Sequence, residues 1–169
     1  MENEEITQKL ADALVRAREN TERPNVFKQM ANKAKVIKRL ADEYIAMNYV
    51  SDAVNQYNRE NIPLGAKGFD GTKLDNFYHS RGMYNAAQLG PEAAEYALRL
   101  GEEKERFDRI KKKYFQGWSD KKIAADSKKD LQNNINAVIM ALNNPGVPVS
   151  QVFPYEGTTA GAFDPRFNK

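Results

Sequence analysis

The chain has 169 residues, a formal net charge of +3 and no cysteine. This length suits one domain with a substantial core and is marginal for two. Without cysteine, the sequence excludes disulfide scaffolds, zinc–cysteine sites, iron–sulfur clusters and thiol nucleophiles. The small excess of positive charge does not by itself indicate a partner.

The first residues, MENEEITQKL, are charged and contain no apolar run. They do not fit a secretory signal, and no stretch of the sequence approaches the roughly 18 apolar residues that a spanning helix needs. We therefore expect a cytoplasmic chain with no membrane span, which could leave the cell by incorporation into a larger particle.

Two amphipathic helices are predicted in residues 1–60, which we expect to form an N-terminal helical arm. Apolar residues recur at helical spacing up to about residue 20, and Pro24 disfavours helix at the residue before it. The second pattern is longer and has an apolar stripe, which comprises Val26, Met30, Ala34, Ile37, Ala41, Tyr44 and Ile45. Its lysine-rich face is typical of a solvent-exposed surface, with phosphate binding as the alternative.

The expected fold class is all-α, with the arm followed by a hinge, a compact helical bundle and an extended tail. Glycine and proline predict the hinge at residues 61–75 and the bundle at 76–144. Asp75 or Asn76 is predicted to cap the first bundle helix, and Gly90 with Pro91 separates it from the next one. Gly101 is a weak point in that second helix. Residues 117–144 are predicted to form two shorter helices.

The last segment, residues 145–169, combines prolines and glycines with aromatic residues. Proline and glycine prevent regular structure, whereas a disordered tail is usually poor in aromatics. This composition predicts an extended segment that lies in a groove, either on its own body or on a neighbouring chain. Its anchors would be Phe153, Tyr155, Phe163 and Phe167.

His79 is the only histidine in the chain, and it forms a candidate polar cluster with Glu105 and Asp108. The two carboxylates are three residues apart on one helix face, and antiparallel packing of the two helices would bring His79 to them. Such a set can bind a metal or share acid–base work, or it can fix the register of a helix pair. The structural interpretation is favoured, and neither a metal nor a cofactor is predicted.

The segments DNFYHSRGMYNAAQLGP, KERFD and DSKKDLQNNI follow one another between residues 72 and 142. Their order resembles a helical region found in phage-encoded proteins and at the C-terminal ends of large bacterial repeat-containing toxins. In that region a Tyr-His start, an Ala-x-x-Gly-Pro break, a Lys-Glu-x-x-Asp helix and an Asp-Leu helix recur. The chain has little beyond this core. The resemblance implies a phage or bacterial-conflict setting and carries no activity.

Residues 117–139 resemble a helix-turn-helix, in which Gly117, Ser119, Ile123 and Ala124 fit the first half. The turn lacks a glycine, and Ile135 falls one residue late, so a plain helix hairpin is the favoured interpretation. If the motif binds DNA, the second helix presents side chains that suit phosphates and adenine edges: Lys128, Lys129, Gln132, Asn133 and Asn136. Nucleic acid is thus an alternative partner.

Basic residues run into three aromatic residues in RIKKKYFQGW, Arg109 to Trp118. This combination can stack single-stranded bases or sit at a membrane interface. Aromatic residues at helical spacing are more often core, and we expect Tyr114, Phe115 and Trp118 to be buried.

No phosphate-binding glycine loop, His-Glu metal motif or serine elbow occurs in the sequence. We therefore expect a non-enzymatic structural or assembly protein, which contacts other protein subunits in a homo- or hetero-oligomer through its helical arm and tail. The resemblance implies a phage virion as the setting. The alternatives are a DNA-binding protein that uses residues 117–139 and a toxin-like effector or hydrolase that uses His79, Glu105 and Asp108.

Overall fold

The computed structural model describes residues 2–61 and 71–152. Every regular element in these two ranges is a helix, which confirms the all-α fold class. The helices are α1 (Glu2–Glu19), α2 (Val26–Asn61), α3 (Gly71–Ala87), α4 (Pro91–Tyr114), α5 (Asp120–Asn143) and the short α6 (Val149–Val152). The predicted tail anchors Phe153, Tyr155, Phe163 and Phe167, and most of the predicted hinge, lie outside the described residues.

Several helix boundaries follow from local chemistry. The Asn25 side chain accepts a hydrogen bond from the Lys28 amide (2.9 Å) and so caps α2 just after the proline that separates it from α1. Gly90 has φ 116°, a left-handed value that favours glycine, and Pro91 occupies the first turn of α4. The predicted break between α3 and α4 is therefore confirmed.

Two boundary predictions are wrong. Asp75 and Asn76 lie inside α3, because the helix already begins at Gly71. The two short helices predicted within residues 117–144 are one uninterrupted helix, α5. Ser127, the expected start of the second helix, is fully buried and accepts a hydrogen bond from Arg109 Nε (3.2 Å), so α4 holds it in mid-helix.

The predicted division into an arm and a separate bundle differs from the structure. Val36 of α2 is fully buried in the same core as Tyr84 and Val138, and Leu10 and Leu14 of α1 pack against that core. The described parts of α1 and α2 therefore belong to one packed body.

The core is built largely from small side chains, which lets the helices approach closely. Its alanines are Ala86, Ala87, Ala93, Ala94, Ala97, Ala137 and Ala141. Tyr84 is the largest fully buried residue, and its hydroxyl donates a hydrogen bond to the Val147 carbonyl (2.9 Å). Burial raises the pKa of that hydroxyl. Tyr84 thereby ties the turn after α5 to the last turn of α3.

Antiparallel helix pairs frame the candidate site. In α2 and α3, Arg39 donates to the Asn85 carbonyl, and Arg81 Nε lies 3.8 Å from Glu43 Oε1. In α4 and α5, Lys112 pairs with Asp126, one turn from the bond between Arg109 and Ser127. In each pair the residue numbers rise along one helix as they fall along the other, so the helices run in opposite directions.

Candidate functional site

A cavity of about 530 Å³ lies between α2, α3, α4 and α5. The three residues singled out in the sequence, His79, Glu105 and Asp108, all line it. The volume falls in the range of small-molecule sites. Most of the wall is apolar and comprises Ile37, Leu40, Tyr44, Met47, Tyr78, Met83 and Leu100.

Two buried acceptor oxygens in this wall receive no hydrogen bond from the part of the chain that the structure describes. They are Glu105 Oε2, on a side chain that is 4% exposed, and Oδ1 of Asn134, a buried residue of α5. The other carboxylate oxygen of Glu105 is 3.6 Å from Lys104 Nζ, which lies closer to Asp108 (2.6 Å). Buried acceptors without donors cost free energy, so this arrangement calls for an explanation.

The cavity carries an excess of negative charge. Four carboxylates line it, from Glu43, Glu105, Asp108 and Asp130, against one lysine, Lys104. Lys104 is the one lysine or arginine among the described residues of this wall. The wall therefore combines apolar surface with acceptors and anionic groups.

Glu43 supplies a pH-dependent contribution to stability. Burial raises its pKa, against the Arg81 charge and the hydrogen bond from Asn85, which lower it. The folded chain thus holds this proton more tightly than the unfolded chain. Stability from this group is therefore complete below the ordinary value of 4.5 and is lost as pH rises through the folded pKa.

We expect Glu43→Gln to remove the loss of stability that accompanies ionisation of Glu43, because glutamine keeps an acceptor for Asn85 but has no charge. The unfolding free energy of the variant, relative to wild type, should grow from about pH 4 to about pH 7 in urea titrations. Glu102→Gln, on the exposed side of α4, serves as the control. A difference that shrinks as pH rises would contradict the assignment.

No three histidine, aspartate or glutamate side chains in residues 2–61 and 71–152 converge to hold a metal ion. His79, Glu105 and Asp108 share a cavity without forming such a set.

A second feature is an apolar seam on the outer side of α2. It consists of Phe27, Met30, Ala34, Ile37, Ala41 and Tyr44, spaced alternately three and four residues apart. All six are exposed, with Phe27 at 84% and Met30 at 64%. The inward side of α2 carries the buried Val36 and the partly buried Leu40, and beside them Arg39 and Glu43 bond to α3.

The apolar surface continues on α4, where Phe107, Ile110, Tyr114 and Phe115 are exposed. Phe107 lies two turns after Leu100 on the same helix face, and Leu100 lines the cavity together with Ile37 of the seam. The seam and this α4 surface therefore flank one groove. The expectation that Tyr114 and Phe115 are core residues is wrong.

The basic run at the end of α4 is compensated by acidic residues of α5. Lys112 pairs with Asp126, and Lys113 Nζ lies 3.0 Å from Asp120. Burial is the largest influence on the pKa of Lys112 and lowers it, but the bond to Asp126 and nearby carboxylates leave it raised. Half-buried Trp118 has Lys122 Nζ 3.7 Å from its ring centroid. These contacts engage Lys112, Lys113 and Trp118 within the fold, whereas Tyr114 and Phe115 stay exposed.

Residues 117–139 form neither the favoured helix hairpin nor the alternative helix-turn-helix, because α5 runs without a turn from Asp120 to Asn143. Lys128 and Gln132 line a cavity between α1 and α5, together with Ile6 and Thr7. The other predicted DNA-contacting residues are spread over the same continuous helix: Lys129 and Asn136 are exposed and Asn133 is half-buried.

Within the described ranges, none of the helices combines the length and the apolar character that crossing a bilayer requires. No family model, no curated protein and no solved structure matches this chain, so its function has to be argued from the cavity and the seam.

Proposed function

We propose that this protein is a non-enzymatic assembly component whose chains associate through the apolar seam of α2. The observation that carries the proposal is the exposure of all six seam residues. A spacing of alternately three and four residues is that of coiled-coil helices, and exposed apolar surface of this extent marks protein contacts. The partner is a second copy of the same helix.

The sizes of the seam residues favour an antiparallel pair. From Met30 to Tyr44, large and small seam residues alternate along α2, so an antiparallel copy places Ala34 opposite Ile37 of its partner and Ala41 opposite Met30. Phe27 then meets Tyr44. A parallel copy would instead set alanine against alanine, which leaves gaps between the larger side chains.

The lysines of α2 also favour an antiparallel pair of helices. In a parallel pair, Lys33 would lie beside Lys38 of the partner, since residues five apart meet across the edges of a parallel coiled coil. Like charges at such positions disfavour association. In the antiparallel pair Lys33 faces Leu40 and Lys38 faces Ala31, so this repulsion is avoided.

The test is the solution mass of the full chain by light scattering across a concentration series. We expect wild type to form a dimer or larger species, and Met30→Glu to be monomeric with unchanged helical circular dichroism and a Tm that no longer depends on concentration. Val15→Glu places the same charge on an exposed apolar site of α1, away from the seam, and should associate like wild type. A wild-type monomer at every soluble concentration would overturn the proposal.

Cysteine cross-linking can determine whether the two α2 helices are parallel or antiparallel, because the natural chain has no cysteine. An Ala34→Cys/Ile37→Cys double variant should form interchain disulfides on mild oxidation if the helices are antiparallel. Efficient cross-linking of the Ala34→Cys single variant would show a parallel pair instead.

The proposal includes the tail, with Phe153, Tyr155, Phe163 and Phe167 as further anchors on a neighbouring chain. Deletion of residues 153–169 tests this contribution and retains Val147, Val149 and Val152, which contact the core or its Tyr84 hydroxyl. The truncated chain should stay folded and associate more weakly. The setting that the resemblance implies is a phage particle.

A further inference from the structure

We propose that the cavity between α2, α3, α4 and α5 binds an organic cation, an ammonium or guanidinium group carried on an apolar stem. This goes beyond assembly, and because Ile37 and Tyr44 belong both to the cavity wall and to the seam, the two proposals are tested separately below. The cation would lie against Glu105 and Asn134, and its stem would lie along the apolar wall.

The two buried oxygens described above indicate that the ligand is a hydrogen-bond donor. Glu105 Oε2 and Asn134 Oδ1 are both acceptors that receive no hydrogen bond from the described residues, so the missing partner is a donor. Hydrogen bonds to charged groups are the stronger kind, and a carboxylate favours a cationic donor. A protonated amine meets both requirements.

The rest of the wall selects against other ligand classes. With four carboxylates and one lysine around the cavity, an anion would be repelled. A small inorganic cation would leave the apolar side of the cavity unfilled, because leucine, methionine and tyrosine side chains make up much of the wall. An alkyl stem of about four to six carbons is stabilised there, because it leaves water for an apolar wall.

The local packing keeps the acceptors in place. Asn134 approaches α4 at Gly101, where an added Cβ would lie 2.9 Å from Asn134 Nδ2. Glu105 is one turn further along α4. The two acceptors therefore come from adjoining positions on an antiparallel helix pair, which forms a rigid floor.

His79 provides the readout, because it is the only histidine and lines the cavity. Its imidazole proton signals are followed by NMR during titration with hexylamine at neutral pH. Hexanol and hexanoate are the neutral and anionic controls of equal length. We expect saturable shifts with hexylamine and much weaker binding of both controls.

The matched variants are Glu105→Gln, which keeps the shape and removes the charge, and Glu102→Gln on the exposed side of α4. Glu105→Gln should weaken hexylamine binding about tenfold or more, whereas Glu102→Gln should bind like wild type. Asn134→Leu provides a second test if Glu105→Gln fails to fold. Absent shifts, equal binding of hexanol, or unchanged binding by Glu105→Gln would each overturn the proposal.

The cation can be a free amine or a lysine side chain of another protein, and a lysine-containing pentapeptide separates the two. Tighter binding of hexylamine identifies a small-molecule site, and tighter binding of the peptide identifies a protein partner. The titration is repeated in the Met30→Glu variant. Cation binding that persists in that monomer separates this site from the association through the seam.

Discussion

Tyr84→Ala should lower the free energy of unfolding by about 4 kcal/mol, the largest single effect that we expect in this chain. Tyr84 is fully buried among alanines and valines, so truncation leaves a cavity that those short side chains cannot fill. It also removes the hydroxyl that bonds to Val147. Because small domains have only about 5–15 kcal/mol of net stability, a loss of this size is a large fraction of the total.

Two further substitutions, measured by urea unfolding, separate the contribution of the buried ring to stability from that of its hydroxyl. Tyr84→Phe keeps the ring and removes only the hydroxyl with its hydrogen bonds to the turn after α5, so it should cost about 1 kcal/mol. Tyr114→Ala makes the same truncation at an exposed tyrosine and should change stability by less than about 0.5 kcal/mol. Equal losses for Tyr84→Ala and Tyr84→Phe would mean that the ring contributes little to packing.

Gly101→Ala should lower the free energy of unfolding by about 1–3 kcal/mol. This is expected although the helix propensity of alanine is more favourable than that of glycine by about 1 kcal/mol. The added Cβ would lie 2.6 Å from Met83 Cε and 2.9 Å from Asn134 Nδ2. Met83 can move the end of its flexible side chain, but Asn134 is short and buried. The steric cost therefore exceeds the gain in helix propensity.

A double-mutant cycle with Met83→Ala measures this contact. If the clash with Met83 contributes, Gly101→Ala should cost less in the Met83→Ala background than in wild type. The remaining cost would report the contact with Asn134. Stabilisation by Gly101→Ala in wild type would show that α3, α4 and α5 pack more loosely than the structure indicates.

The positions of most helices could be predicted from the sequence, because their signals are local. Proline and glycine mark the breaks before α2 and between α3 and α4, and apolar spacing marks the helices themselves. The split of residues 117–144 into two helices failed for a non-local reason. Ser127 resembles a cap in the sequence, but α4 buries it and supplies its hydrogen bond.

The candidate site could also be predicted only as far as its signals are local in the sequence. The spacing of Glu105 and Asp108 predicts that they share one helix face near His79, and in the structure the three line one cavity. Asn134 and the importance of Gly101 could not be found, because both depend on how closely α5 approaches α4. Gly101 therefore resembles a defect in the sequence, whereas in the structure it makes room for two neighbours.

The two sides of α2 have separate consequences for how this protein could change over generations. Val36 and the residues that bond to α3 determine whether the chain folds, whereas Phe27 and Met30 lie outside those contacts. Substitutions on the outer side can thus accumulate with little effect on the folded body. A lineage could acquire a new binding specificity there by point mutation while its core remained unchanged.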